Sequence, residues 1–309
     1  MEVRQLEYFL RVMELGSINR AAPTLRLSQP ALSRHMALLE RELAVKLFTR
    51  TQSGVNLTDA GKLMSDRVRP LLRQLALLKE QVGEQAAGQL AIGTPPAWQA
   101  LFTSPFIEML VAQYPGVKLR VYEGLSNVQR EHMASGLIDI SIIPFSPVHA
   151  VGYRQTAIVR EPLVLVGRPE DGLSPGQPVA LSRLDGVNLV LPERPNVLRV
   201  QLERALERKG LQFIVAVETD TLAICLDMAR RGVGFSVVPS SALFGRAGDT
   251  SISWAPIKGQ SITWALWENT ARTHSPAVTQ GRKLALNSIA AVLARNEWYG
   301  AEGLAGLRS

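Results

Sequence analysis

Apolar residues recur along the first sixty positions at helical spacing. Leu6, Phe9, Leu10 and Met13 fall at i, i+3, i+4 and i+7, one face of a helix, and Gly16 closes it. Ser17 is placed to cap a second helix that packs through Ile18, Ala21, Ala22 and Leu25. After a break at Arg26 and Leu27, Ser28 caps a third helix, with Pro30 in the first turn, where amides lack helical partners anyway. Leu32, Met36, Leu39 and Leu43 face inward, which leaves Gln29, Ser33, Arg34, Ala37 and Arg41 as a polar, cationic face. Residues 48–50 and 55–57 read as two short strands around Gln52, Ser53 and Gly54. Thr58 caps the next helix. On it Met64, Val68, Leu71, Leu75, Leu78 and Val82 alternate spacings of four and three, a narrow seam that calls for a partner helix and predicts a dimer. Pro70 lies inside that seam and predicts a kink. Gly83 and Gly88 end the helix and make a hinge.

From Leu90 the pattern changes. Short apolar runs at 90–93, 117–122, 139–143, 163–166, 187–191, 213–217, 235–238 and 262–267 read as strands. Amphipathic stretches at 99–113, 127–135, 197–209, 220–231 and 276–295 read as helices. This alternation predicts an α/β fold in two subdomains, the first from 90–161 and 267–296, the second from 162–266. Ligands of open α/β sheets sit beyond the carboxyl ends of strands, so the cleft between the subdomains is the default site. The small, polar end of the chain, 300–309, reads as a loose tail.

Composition narrows the picture. With 309 residues, of which 46% are hydrophobic and 20% charged, the chain is globular. No apolar run approaches the ~18 residues of a membrane span. The single cysteine, Cys225, excludes an intrachain disulfide and points to a reducing, cytoplasmic setting. The net charge is +7, and between Ser17 and Leu57 six basic residues face two acidic ones. The three-helix segment is therefore the part suited to a polyanion. A helix of this size fits the major groove, where Gln29 can read adenine and Arg34 guanine, while Ser28, Ser33 and Arg50 suit base edges or phosphate.

Catalytic readings find little support. Gly232 and Gly234 follow a helix and precede a strand, the reverse of a dinucleotide fingerprint. His35, His132, His149 and His274 are isolated from one another, which argues against a metal site. Cys225, between Ile224 and Leu226, reads as a small core residue. No cofactor and no enzymatic activity are expected.

The segments GSINRAA (16–22), LSQPALSRHMALLERELAVKLFTR (27–50) and GVNLTDAG (54–61) closely resemble the winged helix-turn-helix of LysR-type transcriptional regulators. More loosely, YPGVKLRVYEG (114–124), SGLIDISII (135–143), EPLVLVG (161–167) and ARRGVGFSVVP (229–239) resemble that family's effector-binding domain, which has the fold of type 2 periplasmic binding proteins. The resemblance implies a winged helix-turn-helix at 1–58, a dimerising linker helix at 59–88 and an effector domain at 89–309. It places Gln29, Pro30, Ser33 and Arg34 at double-stranded DNA, with Arg50 of the wing on the backbone. Pro23, inside the second helix, departs from the pattern. For the effector it implies Thr94, Trp98, Ser126, Asn127, Phe145, Pro192, Arg194, Asn196 and Thr219. The ligand is expected to be a small organic anion, with Arg194 and Arg199 available for a carboxylate. Trp98 either stacks on the ligand or partly closes the cleft. A homodimer or homotetramer acting on RNA polymerase follows by the same resemblance. The competing reading is a constitutive or architectural DNA binder whose α/β domain serves only to assemble the oligomer, and a cleft filled by Trp98 would favour it.

Overall fold

The computed structural model describes residues 1–51, 54–82, 88–147, 152–246 and 248–307, the side chains of 77–82 excepted. The chain divides into two units, Met1–Glu84 together with Ser135–Leu137, and the remainder.

In the first unit α1 (Val3–Leu15), α2 (Ile18–Thr24) and α3 (Gln29–Leu43) precede a hairpin of β1 (Phe48–Thr51) and β2 (Gly54–Leu57), and α4 (Asp59–Val82) follows. The predicted caps form: Ser17 Oγ accepts from the Arg20 N–H, Ser28 Oγ from Ala31, and Thr58 Oγ1 from Gly61. The core comprises Leu6, Phe9, Val12, Ala21, Ala22, Leu32, Met36, Leu39, Leu47 and Val68. Val12 replaces the expected Met13 in it, and Leu43 stays 36% exposed at the end of α3.

The wing is fixed to the helices at close quarters. The Val55 N–H donates to Gly16 O at 2.9 Å, and a Cβ on Gly54 would lie 2.1 Å from that same oxygen. Gln52 and Ser53 lie outside the described residues.

The seam on α4 divides. Val68 is buried in the head's own core, with Met64 and Leu72 packed against it, whereas Leu71 and Leu75 are exposed. Met64 and Val68 are thus packed within the chain and not held for a partner. Four-three spacing marks an apolar stripe without saying whether its cover is intra- or intermolecular. The side chains of Leu78 and Val82 lie outside the described residues, and α4 runs unbroken through Pro70.

The second unit is built on one nine-stranded sheet. Its strands are β3 (Gln89–Thr94), β4 (Lys118–Glu123), β5 (Ile140–Pro144), β6 (Tyr153–Gly167), β7 (Asn188–Leu191), β8 (Ile214–Glu218), β9 (Phe235–Pro239), β10 (Ser253–Asn269) and the short β11 (Glu302–Gly303). The order is β4-β3-β5-β10-β6-β9-β7-β8, with β11 added to β6. The helices are α5 (Ser104–Gln113), α6 (Ser126–Ala134), α7 (Val197–Glu207), α8 (Leu222–Arg230) and α9 (Pro276–Ala294). A 3-10 turn, Pro96–Trp98, and a π-helical turn, Gln99–Thr103, lead into α5.

Two strands carry both subdomains. β6 and β10 run antiparallel for their whole length and slip in register between Pro256 and Ser261, opposite Pro162–Val164. Before the slip β6 lies beside the β5 half of the sheet, and beyond it Leu163–Val166 pair with β9. The second crossing is therefore at 257–261, earlier than the expected 267. Alternation splits the two faces: Leu163 and Leu165 join one cluster, Val164 and Val166 another, as a period of two requires.

The crossing closes around one carboxyl group. Glu161 is fully buried on β6. Its oxygens accept the indole N–H groups of Trp98 (3.4 Å), Trp264 and Trp298 (3.0 Å), the hydroxyls of Ser240 and Ser241 (both 2.9 Å) and the Ser241 N–H (2.6 Å). Trp98 stands edge-on to both other rings, with centroids 5.4 Å from Trp264 and 4.9 Å from Trp298. Trp298 is buried just before the stretch 300–309 that reads as a loose tail. That stretch is docked instead: Glu302 and Gly303 pair with Arg160 and Val159, and the Leu304 N–H reaches Ile158 O.

Burial raises the Glu161 carboxyl above the ordinary glutamate value, against the opposing pull of the Trp298, Ser241 and Ser240 donors. A proton then stays longer on the folded chain than on the unfolded one, so this group's contribution falls as pH rises from the ordinary glutamate range through the raised value. Glu161→Gln is expected to lower stability by about 3 kcal/mol, since an amide meets donors with donors, and to abolish that pH slope. Urea unfolding of both proteins between pH 4 and 8 measures both effects.

Candidate functional sites: a cationic helix face and an inter-subdomain cavity

The first site lies on α3. Gln29, Pro30, Arg34, Ala37 and Arg41 are exposed on it, Ser33 is half-buried, and Ser28 is exposed at its start. Leu32, Met36 and Leu39 anchor the opposite face in the core, so the polar row is held out by packing. The Gln29 amide donates to Ser33 Oγ at 2.9 Å, which aligns the two side chains along the helix. His35 is half-buried, edge-on to Tyr8 at 5.2 Å, and acts as a spacer under the face. Arg50 is exposed on β1.

Glu40 connects the helix to the wing. Its carboxylate accepts the Leu47 N–H at 2.9 Å, the Phe48 N–H at 3.2 Å and the Lys46 ammonium at 2.7 Å. In the sequence Glu40 counted only as a charge. Its signal was position: an acidic residue late in the helix, just before the strand whose amides need an acceptor.

The second site is a cavity between the subdomains, enclosing about 670 Å³ with its mouth. Its walls come from Pro95 to Ala97, from Leu125, Ser126 and Gln129 at α6, and from Ile143 and Pro144 after β5. The other subdomain supplies Pro192, Asn196 to Leu198, Thr219, Asp220, Leu222, Cys225 and Val237 to Pro239, and Ile262 and Trp264 come from β10. These are carboxyl ends of strands and starts of α6, α7 and α8, the position an open α/β sheet reserves for a ligand. A wider outer lobe shares Pro96, Ala97, Leu125, Asp220 and Leu222 and adds Glu123, Phe244 and Arg246.

The expected effector residues divide. Ser126, Pro192, Asn196 and Thr219 line the cavity. Thr94, Asn127, Phe145, Arg194 and Trp98 do not. Thr94 is fully buried, with Oγ1 lacking a hydrogen-bond partner, and Asn127 Oδ1 is likewise buried without one. Phe145 points to solvent at 43% exposure, because β5 delivers Ile143 and Pro144 to the wall first. Trp98 neither stacks in the cleft nor closes it: Glu161 and two tryptophans hold it in the core, and the cavity stays open.

The arginines are committed elsewhere. Arg199 is buried and donates to Glu203 at 2.8 Å, to Glu218 and to Pro192 O at 3.0 Å, and Arg194 pairs with Glu203 at 2.8 Å. Neither lines the cavity. Gln129, Asp220 and Trp264 do, and nothing in the sequence marks them beyond the neighbouring Thr219. Cys225 lines the cavity too. Burial pushes its thiol up to about 11, which keeps it protonated and unreactive at neutral pH. Among the described residues no cluster of His, Cys, Asp or Glu suits a metal ion, and no helix is long and apolar enough to cross a membrane.

Residues 3–62 match the bacterial regulatory helix-turn-helix protein family of lysR type, and residues 83–287 match the LysR substrate binding domain. The nitrogen assimilation regulatory protein Nac of Escherichia coli is 31% identical over 306 residues, covering 96% of this chain and 99% of that protein. The chain belongs to the LysR family of regulators. As a LysR-type protein it is a DNA-binding transcriptional regulator with an effector domain. TfdT of Cupriavidus pinatubonensis is 38% identical over 155 residues, 48% of this chain and 66% of that protein. Full-length CbnR complexed with its target DNA has the same fold, with a TM-score of 0.68 at 23% identity over 93% of this chain and all of that one. A full-length OxyR variant from Pseudomonas aeruginosa superposes with a TM-score of 0.64 at 23% identity over 94% of each chain.

Glu40 carries one prediction. Its carboxyl lies below the ordinary glutamate value, because Lys46 and the Leu47 and Phe48 amides outweigh the opposing effect of burial. Its contribution is complete above pH ~4.5 and is lost as pH falls through the depressed value. Glu40→Gln is expected to cost about 1 kcal/mol at neutral pH. Hydrogen exchange at the Leu47 and Phe48 amides should accelerate while that of the α3 core amides changes less.

Proposed function

We propose that this regulator reads its operator with the amino-terminal half of α3 and is switched by a small molecule held in the inter-subdomain cavity. Support for the first part is the row of exposed Gln29, Arg34 and Arg41 with the half-buried Ser33, opposite a helix face buried in the core. Support for the second is the open cavity at the carboxyl ends of the strands, with Trp98 withdrawn into the core. That cavity is the observation that weighs against a purely architectural binder. Ser28, Gln29, Pro30, Ser33 and Arg34 approach base edges, and Arg50 approaches phosphate. In this reading the protein works in the cytoplasm as a dimer or tetramer. The exposed Leu71 and Leu75 on α4 are where a second copy would pack. Two recognition helices then meet two half-sites about one turn of DNA apart, and the assembly acts on RNA polymerase.

The switch is a two-state equilibrium. A ligand favours whichever cleft angle it binds better, and only by that difference in affinity. β6 and β10 are the parts that bend, since both subdomains share them. The changed angle alters how the DNA-binding heads are held and so how the operator is bent.

Two substitutions separate the roles on the DNA face. Arg34→Ala should weaken operator binding by roughly 1–3 kcal/mol and reduce the preference for operator over scrambled DNA, as the loss of a base reader does. Arg50→Ala should weaken both DNAs alike and lower the salt slope by about one. Titrations of the upstream intergenic DNA and a scrambled control across a salt series test both. Equal binding of the two DNAs by the unmodified protein would overturn the sequence-specific reading.

A further inference from the structure

The cavity is lined by residues of a chemistry unlike the anion site its sequence suggested. Among the described residues no lysine, arginine or histidine lines the inner lobe, and the one charged group there is Asp220. Asp220 Oδ1 accepts the Glu193 N–H at 3.1 Å. The outer lobe adds a second carboxylate, Glu123, and one arginine, Arg246, which already faces Asp249 at 3.5 Å. Arg194 and Arg199, the cations nearest in sequence, are paired with Glu203 and Glu218. The field of Asp220 reaches the lining: it adds to burial in raising the Cys225 thiol.

A carboxylate entering this space would leave water for apolar walls, meet no full positive charge and face Asp220. What the walls do offer is partial charge and dipoles. The starts of α6 at Ser126 and of α8 at Leu222 line the cavity, and the amides of a helix start suit an acceptor oxygen. The start of α7 is partly used, since Asn196 Oδ1 accepts the Arg199 N–H at 3.2 Å. Gln129 is also engaged, donating to Gly124 O at 2.6 Å and accepting the Ser141 hydroxyl. A ligand here can thus offer an acceptor to the helix starts and a donor to Asp220, which stands exposed at the cavity wall.

Resting on the effector reading above, we infer that the ligand of this regulator is a small, uncharged, mainly apolar molecule whose polar head carries both an acceptor oxygen and a donor N–H, of the carboxamide class, and not an organic carboxylate. The carbonyl oxygen takes the helix-start amides, the N–H group faces Asp220, and the apolar body lies against Val237, Val238, Ile262 and Trp264.

Matched pairs test this on the full-length protein. Benzamide against benzoate, and cyclohexanecarboxamide against cyclohexanecarboxylate, are titrated by calorimetry at pH 7.5, with benzylamine as the cationic arm. At least one amide is expected to bind ten-fold or more tightly than its carboxylate and than benzylamine. Asp220→Asn should then strengthen the carboxylate and shrink that gap at least three-fold. A carboxylate or benzylamine that binds tighter than the amides would overturn the inference, as would a gap that Asp220→Asn leaves unchanged, or a panel in which nothing binds. The same ligands added to an operator-DNA titration report on regulation separately. An amide that binds with the expected preference but leaves DNA affinity and DNA bending untouched would support the ligand class and overturn the effector role.

Discussion

The effector unit depends on keeping one buried carboxyl group satisfied. Glu161 sits where β6 passes from one subdomain to the other and gathers six donors from four places in the chain. An acidic group buried this deeply is tolerable only when its surroundings are fixed. Each donor is therefore held to its position: Trp98 after β3, Ser240 and Ser241 after β9, Trp264 on β10 and Trp298 beyond α9. The same tie keeps Trp98 in the core and out of the cavity lining. Trp264 belongs to both, with one side on the cavity and its N–H on Glu161.

Elements were legible where a local rule decides them. Serine caps at 17 and 28, the α3 packing row and the short parallel strands follow from spacing and turn chemistry, and the structure has them within a residue or two. The crossing strands extend well beyond the apolar runs at 163–166 and 262–267 that mark them in the sequence. Arg160 in β6, and Lys258 and Gln260 in β10, interrupt the apolar alternation close to where each strand leaves one subdomain for the other. A strand that changes neighbours also changes which side is wet, so its pattern is not that of one sheet.

The cleft was half legible for a different reason. Ser126, Asn196 and Thr219 stand at helix starts or strand ends, positions that topology alone brings to the cavity. The arginines stand nearby but their direction is set by partners. Glu203 lies one helical turn beyond Arg199 and was visible in the sequence as an i,i+4 pair. Glu218 arrives from β8, and only the folded sheet brings it there. Trp98 is the same case at longer range, its fate decided by Glu161, 63 residues away.

The docked carboxy-terminal segment bears on how the protein is made. A ribosome releases residue 298 only after β3, β6 and β10 have been synthesised. Until then the buried carboxyl lacks its third indole, and β6 lacks the strand that covers its edge at Val159 and Arg160. The effector unit is therefore completed only once Trp298 and β11 have followed the strands they close. A chain broken off before Trp298 would carry nearly all of its secondary structure and still fail to settle, exposing the sheet to the association that unfinished β proteins suffer.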